Sequence, residues 1–141
     1  MKQYKLLFAD LDGTLIEPIT LKTFPQGIWD MKIKFDVLDK IKELNPDAEI
    51  VMLIPTLSYL INMDQLSNEY NFGEGTIDDY ISVMKSVAEC EGAIVVNMQE
   101  AWTLTKENWS DYLVDGSHLK KTARREYADF LAQKLYELFA K

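Results

Sequence analysis

The chain has 141 residues, of which 48% are hydrophobic, enough to bury one sizeable core. Its formal charge of -8 and isoelectric point near 4.6 argue against non-specific binding to nucleic acid or to an anionic membrane surface, both of which need basic patches, and leave room for a cation that bridges the chain to an anionic substrate. A single cysteine, Cys90, excludes an internal disulfide and points to a reducing compartment, with the thiol read as a small buried apolar side chain.

In chain order, the apolar run at residues 4–9 reads as a buried strand that ends at Asp10. The opening "MKQYKLLFADLDG" reaches acids too soon for a signal peptide or a membrane span, so a cytoplasmic location is expected. Residues 15–27, "LIEPITLKTFPQG", read as two β-prone runs around a polar turn. Residues 33–44 place Ile33, Val37, Leu38, Ile41 and Leu44 at helical spacing, with Pro46 as a stop and Asp36, Asp39 and Glu43 on the solvent face. A second strand is expected at 49–54. A second helix follows at 76–90, capped by Thr76 with Asp79 three residues on and closed by Gly92, with Ile77, Tyr80, Ile81, Met84, Val87 and Ala88 on its inner face. A third strand at 93–97 leads to a last helix at 121–139, whose inner positions are Tyr127, Phe130, Leu131, Leu135 and Leu138. Trp29, Trp102 and Trp109 read as core or edge-covering side chains, and Tyr70 and Phe72 as loop anchors. Alternating strands and helices predict a small three-layer α/β/α domain, an open parallel sheet of Rossmann-like or flavodoxin-like type with strand order 2-1-3 or 1-2-3 and a hairpin flap after strand one. Two open sheet edges make a homodimer an economical way to cover them.

Asp10-Leu11-Asp12-Gly13-Thr14-Leu15 resembles, residue for residue, the first motif of the haloacid dehalogenase superfamily of phosphohydrolases. The resemblance covers about a third of the chain, to Asn45. It implies that Asp10 is a nucleophile forming an aspartyl phosphate and a metal ligand, and that Asp12 is the acid/base. Gly13, Thr14 and a strand-end Thr56 would hold the phosphate, and Mg2+ would neutralise the approach of a carboxylate to a phosphate dianion. The substrate would be a small phosphorylated metabolite or a nucleic-acid end. Lys85 and Lys106 are loose matches to the third motif, and Asp111 and Asp115 are the acids nearest to the fourth.

From Pro46 onward the chain resembles the C-terminal half of the SGNH, or GDSL-type, esterases, in which an Asp-x-x-His block after the last strand supplies two members of a Ser-His-Asp triad. Asp115-Gly116-Ser117-His118 fits that block and holds the chain's single histidine. The serine that such enzymes carry after strand one is replaced here by the Asp10 turn, and Ser58 and Ser117 are poor substitutes. The two resemblances meet near Asn45 and Pro46, as in a natural or engineered chimera. If both parts share one sheet, Asp10, Asp12, Asp115 and His118 converge at its carboxyl edge, with Asp10, Asp12 and Asp115 as magnesium ligands. Three readings stay open: a magnesium-dependent phosphohydrolase, an SGNH-type esterase without its serine, and an inactive recombinant or regulatory domain. Asp10 and Asp12 could instead cap a turn, and His118 could be a surface loop histidine.

Overall fold

The computed structural model describes residues 16–18, 31–33, 35–73 and 75–140, which fall into two compact units, Met1–Ala48 and Glu49–Lys141. The expected first strand at residues 4–9 and Trp29 lie outside the described residues.

In the first unit, β1 (Ile16–Pro18) pairs antiparallel with β2 (Met31–Ile33), Ile16 opposite Ile33 and Pro18 opposite Met31. The flap reading placed both arms within 15–27, but the partner of Ile16–Pro18 lies beyond that run. Ile33, read as the start of a helix, ends β2. Helix α1 (Phe35–Leu44) follows. Leu44, expected on its inner face, is instead exposed at the last residue of the helix. Asp39 and Glu43 are exposed as expected, and Lys40 Nζ donates to Glu43 Oε2 at 2.7 Å one turn on.

The second unit is a mixed α/β assembly built on a parallel pair. β3 (Val51–Ile54) and β6 (Ile94–Asn97) run in register from Val51 opposite Ile94 to Ile54 opposite Asn97. This direct pairing rules out the order 2-1-3, in which strand one would separate them. Both strands are aliphatic because both carry apolar cover: Ile54 and Val96 are buried, and α2 (Ile77–Cys90), which packs on β6, buries Ile81 and Ala88. Asp79 reaches back from the third position of α2, its Oδ2 accepting from the Thr76 N–H at 2.7 Å and the Thr76 hydroxyl at 2.9 Å, which satisfies a donor that the helix leaves orphaned. Gly92 ends the turn after α2 at φ +63°. Cys90, expected to be buried, is exposed: it lies two residues past Ala88, about 200° round the helix from the buried face.

After β6 the chain makes a 3₁₀ turn (Met98–Ala101) that buries Met98, a short helix α3 (Trp109–Tyr112), and α4 (Lys121–Phe139), which packs against the 3₁₀ turn. The expected inner positions of α4 are half-buried except Leu138, which is exposed, and Ala123 is buried. Between β3 and α2 lies a small antiparallel hairpin that the sequence pattern did not predict, β4 (Tyr59–Leu60) with β5 (Gln65–Leu66). Tyr59, Leu66, Leu104 and Leu113 form a buried cluster, walled by Trp102, Trp109 and Tyr112. Tyr59 stacks on Trp109 with centroids 4.7 Å apart and Trp102 on Tyr112 at 5.1 Å, so both tryptophans serve as core cover. Tyr70 and Phe72 meet edge to face at 5.0 Å. Among the described residues no helix is long and apolar enough to cross a membrane.

Candidate functional site

The Asp115–His118 block is a tight ribbon held from three sides. Leu113, buried beneath it, donates its N–H to Trp109 O at 2.8 Å as α3 ends. Leu113 then bridges Leu119 antiparallel, Val114 N donates to His118 O at 2.7 Å, and Lys120 N donates to Tyr112 O at 2.7 Å. Gly116 turns the ribbon at φ +83°, and its carbonyl accepts from Tyr59 N at 2.7 Å. A Cβ at this position would lie 2.2 Å from Tyr59 O, so only glycine lets the two backbones meet. Tyr59 follows the end of β3 by five residues, which ties the ribbon to the chain leaving the carboxyl end of that strand, the place where parallel sheets keep their chemistry.

β4 is itself braced. The Tyr59 hydroxyl and the Lys106 ammonium both donate to the Asp64 carboxylate, and Asp64 sits at φ +55° in the turn between β4 and β5. Lys106, then Tyr59, hold Asp64 below its ordinary range, and the Asp64 carboxylate in turn raises Lys106 and Tyr59 above theirs. Lys106, a loose match to a catalytic lysine, is thus engaged in fixing this hairpin. Lys85 lines a groove beside β6 together with Asn97, Glu100 and Lys134.

Within the ribbon Asp115 does two jobs. Its Oδ1 accepts from Ser117 N at 3.1 Å and His118 N at 2.9 Å, closing a side-chain turn. Its Oδ2 lies 2.8 Å from His118 Nδ1 and its Oδ1 lies 3.1 Å from it. Facing a carboxylate, the imidazole donates from Nδ1; in the neutral ring that leaves Nε2 as the acceptor, the tautomer a general base needs. These contacts, led by the His118 N–H, then the His118 ring and the Ser117 N–H, bring the Asp115 carboxyl down to about 2. The His118 side chain is 82% exposed and that of Asp115 54%, so this pair is not a core bond.

One consequence is measurable. Asp115 is lower in the folded chain than its ordinary 3.8, so it favours the fold while ionised and loses that contribution as pH falls from about 4 toward about 2. Asp64 and Asp79 are also lowered and act with the same sign. Urea midpoints measured across that window should fall with pH in the parent and fall less in Asp115→Asn. Equal falls would show that the Asp115 contacts do not persist in solution.

Of the residues predicted to act, Asp115 and His118 are brought together. Thr56 is half-buried just past the end of β3. Asp10, Asp12, Gly13 and Thr14 lie outside the described residues. Among the described residues no serine hydroxyl hydrogen-bonds His118: Ser117 is engaged through its N–H to Asp115, and Ser58 through its N–H to Ser67 Oγ at 3.1 Å. Asp115, expected as a magnesium ligand, gives its Oδ1 to two backbone N–H groups and its Oδ2 to the imidazole. Among the described residues no cluster of three or more His, Cys, Asp or Glu side chains could hold a metal. The sequence pattern missed Gly116 and Tyr59 as the ribbon's anchor, because the signal is a contact between positions far apart in the chain. Comparison with protein-family models, with curated proteins and with solved structures gave no match.

Proposed function

We propose that the chain is an ester hydrolase in which His118, oriented by Asp115, is the acid/base group. The observation that carries this is the Nδ1 to Oδ2 hydrogen bond of 2.8 Å, which leaves Nε2 open to a substrate. In this reading Nε2 takes a proton from an attacking water as the water oxygen bonds to the acyl carbon. It then delivers that proton to the departing alkoxide as the ester C–O bond breaks, giving a carboxylic acid and an alcohol. Asp115 stays ionised throughout and stabilises the imidazolium formed between the two transfers. We place the β3–β6 pair in a larger open parallel sheet of three-layer α/β/α type, with this ribbon at its carboxyl edge; the alternation of strand and helix supports that arrangement.

The test is hydrolysis of nitrophenyl acetate by the full chain with and without a metal chelator. Turnover that persists in the chelator supports the reading, and no turnover on any carboxylic ester overturns it.

A second reading, a magnesium-dependent phosphohydrolase, is favoured by Asp10-Leu11-Asp12-Gly13-Thr14-Leu15 alone. Magnesium would there offset charge between a carboxylate and a phosphate dianion. Hydrolysis of nitrophenyl phosphate that is lost in Asp10→Asn and in chelator would establish it instead.

A further inference from the structure

We infer that Val114 and Ile61 form an apolar rim beside His118 that seats the acyl chain of a carboxylic ester, an inference that rests on Asp115–His118 being the acid/base pair of an ester hydrolase. The ribbon geometry sets the first contact. Leu113 bridges Leu119 and the Val114 N–H donates to His118 O at 2.7 Å, so Val114 and His118 stand opposite one another. Opposite residues of an antiparallel pair share a face, with Cβ atoms about 5 Å apart. The second contact comes from the β4–β5 turn, where Ile61 Cγ1 lies 3.3 Å from the point a Cβ on Gly116 would occupy.

Val114 is 63% exposed and Ile61 51%, so each shows water an aliphatic surface against the loop that carries the imidazole. Single exposed aliphatics are ordinary, but two that meet one five-residue ribbon, beside an imidazole with an open Nε2, offer apolar surface where a substrate must lie. In the ester reading Nε2 meets the attacking water and then the leaving oxygen, both bonded to the acyl carbon, and the rim is assigned to the acyl chain that extends from that carbon; the acyl and alcohol series below separate the two sides of the ester.

The test is a series of nitrophenyl esters from acetate through butyrate to hexanoate, assayed with the full chain. A rim covers only one side of the chain, so kcat/KM should rise about two-fold per methylene, roughly half the free energy of full burial. The hexanoate-to-acetate ratio should drop toward one in Val114→Asn and in Ile61→Asn, both exposed positions where a polar side chain is tolerated. A parent that hydrolyses acetate with His118 but shows no rise with chain length overturns the rim and leaves the acid/base pair standing. A rise that both variants retain, or one that follows the alcohol chain of alkyl acetates instead, also overturns it. No ester hydrolysis at all overturns both.

Discussion

Gly116→Ala is expected to destabilise the second unit by about 3 kcal/mol and to remove activity. Two terms add. At φ +83° an L side chain pays about 1 kcal/mol or more of backbone strain. The new methyl would also stand 2.2 Å from Tyr59 O, so the ribbon and β4 must part, which overpacks the site and breaks the Tyr59 N to Gly116 O bond of 2.7 Å. Against a total stability of roughly 5–15 kcal/mol that is a large share, and it should appear as a lowered urea midpoint. Gly92→Ala is the control: Gly92 has φ +63° but nothing within 4 Å of a Cβ, so it pays strain alone. Equal losses in the two variants would show that Gly116 is needed for its backbone angle only. Activity should be lost in Gly116→Ala even at low temperature where the chain stays folded, since His118 is two residues away on the displaced ribbon.

His118→Ala should lower ester hydrolysis roughly 10²- to 10⁴-fold, the range of a lost acid/base group, with the urea midpoint nearly unchanged. The separation is expected because the imidazole is 82% exposed and its side-chain hydrogen bonds go to an exposed carboxylate. Asp115→Asn is the finer probe. The amide oxygen can still accept from the Ser117 and His118 N–H groups, but its NH2 can turn to Nδ1 and drive the ring proton onto Nε2. A loss of up to about 10⁴-fold with the fold intact would follow from that tautomer change. A His118→Ala variant that keeps full activity would remove His118 from the chemistry.

The parts of this chain that the sequence reveals are those whose signal is local. α2 and α4 begin and end within a residue of their apolar periodicity, because each turns an apolar stripe away from water, partly so in α4, and Thr76, Asp79 and Gly92 mark the ends of α2. β3 and β6 are continuous aliphatic runs, as a covered parallel pair requires. The β4–β5 hairpin was illegible: its strands are two residues each, and its turn, Ile61-Asn62-Met63-Asp64, uses Asp64 where a glycine would have announced a left-handed residue. β2 was hidden because Met31-Lys32-Ile33 also suits the first turn of a helix. At the site, Asp115 and His118 are legible as a pair through their spacing. What holds them, the contact of Gly116 with Tyr59, depends on residues with no sequence relation to each other. Asp10 and Asp12 carry the sharper motif but lie outside the described residues, so the part played by the first unit rests on its sequence.

The three backbone bonds that frame the ribbon, Tyr59 N to Gly116 O, Val114 N to His118 O and Lys120 N to Tyr112 O, also set how it moves. All three involve one short stretch of chain, and matching amide-exchange rates at Tyr59, Val114 and Lys120 are the expected sign that they open as one unit. None of the three belongs to α2 or to the β3–β6 pair, so opening them would leave those elements' own bonds in place. A ribbon that exchanges as one unit would be a separable cooperative element, and under the ester reading its closed population would set the fraction of molecules with the imidazole in place.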